Sequence, residues 1–187
     1  MRIGLISDTH ISDDLQGFIK EIFEAFNFYN VEMILHLGDI TSTRVLDVLE
    51  EICPVIAVMY FTDPKPEDSR LFETVRVLEI AGKTIAMVHD IGWPGPHIIA
   101  DVELILPDDM SLEEVLIRKF GCLVDIVTFG HTHQELIEFR DNVLFINPGS
   151  PNHSHSSKRK GKLGTLGIID IDHAGNINPE IIDLNLL

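Results

Sequence analysis

The sequence predicts a two-layer or sandwich α/β fold, parallel in its first half and antiparallel later. Three observations carry this. Short apolar runs alternate with helix-period segments through the first half, as in β-α-β units. Strand-like runs separated by turn residues dominate the second half. The 187 residues, 45% hydrophobic and 24% charged, suit one compact domain spanning residues 1–187.

The elements follow in order. Ile-Gly-Leu-Ile-Ser at 3–7 is a first strand. Ser12 or Asp13 caps a helix in which Leu15, Phe18, Ile19, Ile22, Phe23 and Phe26 share one face. Residues 31–38 form a second buried strand, 43–51 a short helix, and 53–60 a third strand. Two β-rich runs then meet at Ala81, Gly82 and Lys83, the signature of a tight hairpin. Residues 111–120 read as a helix capped by Ser111, with Glu113 and Glu114 in the first turn, where the dipole favours anions. Strands follow at 125–130, 135–140, 142–147, 164–172 and 178–184, with turns at Asp141-Asn142 and at 174–176. Residues 91–97, rich in Pro and Gly, and 151–162, rich in Ser, His and base, read as loops.

Charge and cysteine usage exclude several functions. Fourteen Lys and Arg against 30 Asp and Glu leave a net charge of −16, which disfavours the phosphate neutralisation that nucleic-acid binding needs. Carboxylates that bind cations would reduce this charge. Cys53 and Cys122 form no C-x-x-C pair and read as buried fillers in a reducing compartment. The first apolar run is broken at once by Ser-Asp-Thr-His, too short for a signal peptide or a membrane span. The expectation is a cytoplasmic protein with no membrane partner.

The chemistry stands at the strand exits. The first strand ends in Asp8 and His10, the second in Asp39, the run at 85–88 in His89, and the run at 126–129 in Gly130, His131, Thr132 and His133. Sites in α/β sheets form beyond the carboxyl ends of strands, so Asp8, His10, Asp39, His89, His131 and His133 converge on one locus in this reading. Any one of these histidines alone reads as a structural or surface residue. Their recurrence at four buried strand ends reads as a metal site. Carboxylate oxygen and imidazole nitrogen together suit Mn, Fe, Zn, Co or Ni better than calcium. Six ligands exceed one closed zinc site and match two metals sharing a carboxylate, with Asp39, which follows a glycine, as the natural bridge.

Ser-Asp-Thr-His at 7–10, Leu-Gly-Asp at 37–39, His89, Gly-His-Thr-His at 130–133 and Asn-Pro-Gly-Ser at 147–150 resemble the motifs of the calcineurin-like metallophosphoesterases. In order and size they are most similar to the compact archaeal and bacterial phosphodiesterase branch, over residues 1–172. The resemblance implies a two-sheet sandwich of mixed β-sheets flanked by helices. It implies two divalent ions, Mn first, with Fe, Ni, Zn, Co or Mg as alternatives. Asp8, His10, Asp39 and His133 would surround one ion, and Asp39, His89 and His131 the other. Asp39, His89 and His131 are the implied catalytic residues, and Asn147 and Ser150 hold the ligands' geometry. The implied reaction is in-line attack of a metal-activated hydroxide on a phosphoester, a small-molecule diester sooner than a monoester. Oligomeric state stays open, a homo-oligomer included.

Lys158, Arg159, Lys160 and Lys162 hold four of the 14 cations. They read as a solvated loop, or alternatively as a basic arm in which Lys158 and Arg159 bind the substrate phosphate. His153 and His155 read as surface residues before extra ligands or proton donors.

One strand exit departs from the pattern. Where the resembling family has Gly-Asn, a small residue or His, and then an acid, this chain has Tyr60, Phe61, Thr62 and Asp63. Phe61 has no lone pair to offer, and Tyr60 obstructs the close approach that glycine allows. Asp90 stands where a glycine usually follows the site histidine. Three outcomes follow: a weak second site completed by water, a carboxylate from Asp63 or Asp90 as substitute ligand, or a single metal with poor catalysis. The last resembles a protein-binding scaffold of the same fold, the alternative function.

Overall fold

The computed structural model describes residues 1–11, 20–61, 63, 68–101, 103–152 and 163–187. The expected cap at Ser12 or Asp13, Leu15, Phe18 and Ile19, Thr62, and the loop residues His153, His155, Lys158, Arg159, Lys160 and Lys162 lie outside the described residues.

The first half runs β1 (Arg2–Ile6), α1 (Lys20–Phe28), β2 (Met33–His36), α2 (Arg44–Glu50) and β3 (Val55–Ala57). Then come β4 (Val75–Ile80), β5 (Lys83–Val88), β6 (Ile99–Ala100), β7 (Leu104–Ile105), α3 (Leu112–Phe120) and β8 (Ile126–Thr128). The chain closes with β9 (Glu135–Arg140), β10 (Val143–Pro148), β11 (Thr165–Ile171), β12 (Ile177–Asp183) and a 3-10 turn at Leu184–Leu186.

These strands form two five-stranded sheets, ordered β12-β11-β1-β2-β3 and β4-β5-β8-β10-β9. In the first, β1, β2 and β3 are parallel and β11 and β12 antiparallel. In the second, β5, β8 and β10 are parallel, with β4 and β9 as antiparallel edges. The expected pair of mixed sheets is present, with parallel pairing early and antiparallel pairing late in the first sheet; in the second, parallel pairing extends later than expected, to β10. Parallel pairing reaches β10 because the segment carrying α3 returns β8 alongside β5, and β9 places β10 beside β8.

Burial explains the layering. Ile3 and Leu5 of β1, Leu35 of β2, Ile85 and Met87 of β5, Ile126 of β8, and Leu144 and Ile146 of β10 make one buried cluster between the sheets. Ile6, Ile34 and Leu166 instead pack with Ile22 and Phe26 of α1 and Val45, Leu46 and Leu49 of α2. On the opposite outer face, Ala86, Val127 and Phe145 pack with Val115, Leu116 and Phe120 of α3 and with Ala100 and Leu104. The period-2 alternation of a strand buried on both faces produces this division. Gly4 lies on the α1 side of β1, where a Cβ would sit 2.7 Å from the Phe26 ring, so its missing side chain sets how close α1 approaches.

Local chemistry matches the predicted boundaries. Ala81 (φ 51°) and Gly82 (φ 73°) make the β4-β5 turn, and Asp141 (φ 48°) and Asn142 (φ 66°) the β9-β10 turn. Ser111 caps α3 in a reciprocal box: its side chain accepts from the Glu114 amide (3.3 Å), while its own amide donates to Glu114 Oε2 (2.9 Å). The β6-β7 ribbon was not expected, since two-residue strands show no alternation to read. Among the described residues no helix is long and apolar enough to cross a membrane.

Candidate metal centre

The parallel strands β1 and β2 of one sheet and β5, β8 and β10 of the other deliver their carboxyl ends to the same place, and hydrogen bonds tie the exits together. The Asp8 amide donates to Gly38 O (3.1 Å), and the Gly130 amide donates to His89 O (2.9 Å). His89 Nδ1 donates to Leu37 O (2.8 Å), and the His131 amide to Asp8 Oδ2 (3.0 Å), so each sheet holds the other's exit loop. No glycine substitute fits at two points. A Cβ on Gly130 would lie 1.9 Å from Ser7 Oγ, and one on Gly38 (φ 91°) would lie 2.9 Å from His89 Cβ.

The backbone is strained where the candidate ligands sit. Asp8 (φ 54°), His10 (φ 45°), Asp39 (φ 53°), His131 (φ 74°) and His133 (φ 56°) all adopt the left-handed conformation that non-glycine residues avoid. Such residues persist only where the surroundings over-determine them, and they concentrate at ligand clamps.

Asp8, His10, Asp39 and His133 each offer one donor atom, and these four atoms lie within 4.8 Å of one another. His10 Nε2 is 3.3 Å from His133 Nε2 and 3.3 Å from Asp39 Oδ2, and His133 Nε2 is 3.4 Å from Asp8 Oδ1. Donors sharing an ion at about 2.0–2.2 Å stand roughly 3 Å apart, so this set is already near a coordination shell. Asp8 is fully buried and His89 is 1% exposed, yet Asp8 Oδ1 and His89 Nε2 have no hydrogen-bond partner. Because His89 Nδ1 carries the proton given to Leu37 O, its Nε2 presents a lone pair. That lone pair faces Asp8 Oδ1 across 3.7 Å. Two buried acceptors facing each other are costly unless something positive lies between or beside them, and a cation meets that need.

Protonation states follow the same geometry. Burial pushes the Asp8 carboxyl up, but the His133 imidazole, its Nε2 3.4 Å from Oδ1, holds it below the ordinary aspartate value. Burial lowers the pKa of His89 and outweighs the nearby Asp8 carboxylate, keeping the ring neutral and able to donate a lone pair.

Asp39, His89 and His131, the expected second set, do not join such a cluster; among the described residues the four-residue set stands alone. The Tyr60 ring lies against both histidines, its centroid 4.2 Å from His89 and 5.4 Å from His131. The Phe61 ring lies against Tyr60, centroids 4.1 Å apart and tilted by 49°, and Phe61 is 72% exposed. Both suggested substitute ligands accept hydrogen bonds from backbone amides. Asp63 Oδ2 accepts from the amides of Asp39 (3.2 Å) and Tyr60 (2.7 Å), and its Oδ1 accepts from the amide of Ile40 (2.6 Å). Asp63 therefore clamps the Asp39 loop as an amide acceptor, with both oxygens turned to backbone amides. Asp90 Oδ1 accepts from the Gly92 amide (2.7 Å) and turns the loop after β5.

The exit of β10 braces the ligand loops. Asn147 Nδ2 donates to Gly130 O (2.9 Å) and Thr132 Oγ1 (3.1 Å), and its Oδ1 accepts from the Gly149 amide (2.9 Å). Ser150 Oγ donates to Asp8 O (2.8 Å). Two supports escaped sequence reasoning. Asn152 Nδ2 donates to Thr9 O (2.7 Å). The fully buried His36 accepts at Nδ1 from the Gly38 amide (3.3 Å) and meets Thr9 Oγ1 at Nε2 (3.3 Å), while Thr9 Oγ1 donates to Ile40 O (3.3 Å). A histidine inside an apolar strand, three residues before Asp39, was the available signal for the second.

Comparison with known proteins gives the family and the fold. The model of the calcineurin-like phosphoesterase superfamily domain matches residues 1–174. A probable metallophosphoesterase of Methanocaldococcus jannaschii is 34% identical over 155 residues, 81% of this chain and 68% of that protein. A phosphodiesterase of the same organism is 33% identical over 159 residues, covering 80% and 83%. A solved archaeal phosphodiesterase superposes with a TM-score of 0.63 at 25% identity, covering 97% of this chain and all of that one.

Proposed function

The chain belongs to the calcineurin-like phosphoesterase superfamily, and from that premise we propose that it hydrolyses a small-molecule phosphodiester at a divalent metal centre. One observation carries the proposal: four donor atoms from three separate loops converge within 4.8 Å, beside a buried carboxylate oxygen and an imidazole lone pair with no partner. The resemblance of the relatives, one of them a phosphodiesterase, supports the diester.

In this reading Asp8, His10, Asp39 and His133 hold the ion. A divalent ion held there would lower the pKa of a water toward neutrality and offset negative charge on the phosphoester. Mixed carboxylate and imidazole donors favour Mn, with Fe, Co, Ni or Zn as alternatives. His131 is exposed at the mouth, where it meets the substrate, whereas the buried His89 faces Asp8. Asn147 and Ser150 keep the left-handed exit loops in register. Cys53 is half-buried and Cys122 exposed, which corrects their expected place as buried fillers; both are free thiols, which suits a reducing cytoplasm.

Such a buried, strained set of acceptors has no structural benefit without a cation, which favours the enzyme over a scaffold that only binds proteins. The test compares metal-stripped and Mn-loaded protein on an aryl phosphodiester and an aryl phosphomonoester. Activity should require the metal and be greater on the diester. Asp39→Asn should reduce metal affinity and turnover by more than the roughly 100-fold that loss of an outer partner can cost. Turnover indifferent to both chelation and Asp39→Asn would sink the proposal.

A further inference from the structure

Tyr60 bears on how many ions the centre takes. Its ring rests on the rings of His89 and His131, which are themselves 5.3 Å apart at 74°, so the three rings pack as one aromatic group. The Tyr60 backbone is held by the amide hydrogen bond to Asp63 Oδ2 (2.7 Å), and the Phe61 ring lies against the Tyr60 ring, centroids 4.1 Å apart and tilted by 49°. Asp63, which holds Tyr60, is 6% exposed and also holds the Asp39 and Ile40 amides.

The donors tell the same story. His89 has one lone pair, since Nδ1 gives its proton to Leu37 O, and that lone pair faces Asp8 Oδ1 of the four-residue set. Asp39 lies with the same set, its Oδ2 3.3 Å from His10 Nε2. Phe61 supplies no donor atom, and the three oxygen contacts made by Asp63 are to backbone amides. A second ion beside His131 would have to displace the Tyr60 ring packed there and draw His89 away from Asp8.

We infer that the chain binds one divalent ion, at Asp8, His10, Asp39 and His133, and that Tyr60 fills the second position and holds His89 toward the first. This rests on the metal centre proposed above.

The test counts ions rather than products. Metal-stripped wild-type chain is titrated with Mn by calorimetry, and the loaded protein is examined by electron paramagnetic resonance. The expected result is one ion per chain with the spectrum of an isolated Mn. Tyr60→Gly combined with Phe61→Asn removes the ring and adds an amide oxygen, and should raise the count to two with exchange coupling between the ions. Tyr60→Phe keeps the ring and should stay at one. Should the double variant fail to fold by circular dichroism, Tyr60→Ala replaces it, with the same expectation of a weaker second ion. Two coupled ions in the wild type, or a folded ring-less variant that still takes one, would overturn the inference. No binding by the wild type would instead overturn the metal centre itself.

Discussion

His36 offers a measurement of how the centre is supported. The ring is fully buried at the end of β2, and burial, outweighing the pull of Asp8, pushes its pKa down from 6.5 to about 3. Its hydrogen bonds say why protonation is resisted: Nδ1 accepts the Gly38 amide, so a proton there would set two donors against each other. In the unfolded chain the same ring titrates near its ordinary value. The folded pKa is the lower one, so the unfolded state binds the extra proton as pH falls below 6.5, and stability is lost from there down toward the folded value. Each pH unit in that window costs about 1.4 kcal/mol, so moving from pH 7 to pH 5 costs about 2 kcal/mol from this group alone. In a chain of this size that corresponds to roughly 5 °C in Tm.

The perturbation is His36→Gln, whose amide offers an acceptor toward Gly38 and a donor toward Thr9 without a proton to bind. Urea unfolding of metal-stripped wild type and variant at pH 7 and pH 5 isolates the effect, because losses from all other groups are shared. The wild type should lose about 2 kcal/mol more than the variant across that interval. Equal losses would refute the buried neutral imidazole as a pH-sensitive support of the Gly38-Asp39 loop.

Two further outcomes follow from the same packing. Asp63→Asn sets an NH₂ against at least one of the three amides the carboxylate now accepts, and should destabilise the chain by roughly 1–3 kcal/mol while weakening Mn binding, read by urea unfolding and calorimetry. Gly130→Ala drives a Cβ into Ser7 Oγ and to 2.7 Å from Asp8 Oδ2. It should cost about 1–3 kcal/mol by overpacking, and should lower Mn affinity by moving Asp8, which calorimetry reads directly. An unchanged affinity would show that the Asp8 loop yields without consequence.

Much of the protein is legible from residue order because it depends on local rules. The period of apolar residues places the strands, Ser111 and Glu114 start a helix at a fixed spacing, and Ala81-Gly82 and Asp141-Asn142 turn where left-handed residues are tolerated. The candidate donors are legible too, since parallel strands must end on the same side and their next residues must face the crevice there. The two-residue ribbon β6-β7 is invisible by the same logic, being too short to show a period.

Residue order alone carries the family motifs, the order of the strand exits and the candidate donors Asp8, His10, Asp39, His89, His131 and His133. What Asp63, Tyr60 and His36 do emerges from the packing of the folded chain. An aspartate two residues past an aromatic pair is as good a ligand as an amide acceptor until the chain shows which atoms face it. Asp63 meets the backbone amides of Asp39 and Ile40 in one loop and of Tyr60 in another, and they claim both oxygens. Tyr60 meets the rings of His89 and His131, 29 and 71 positions later in sequence. Such contacts follow from how two sheets are laid face to face, where distant residues compete for the same volume and the same hydrogen-bonding groups, and no local pattern of residues records that competition.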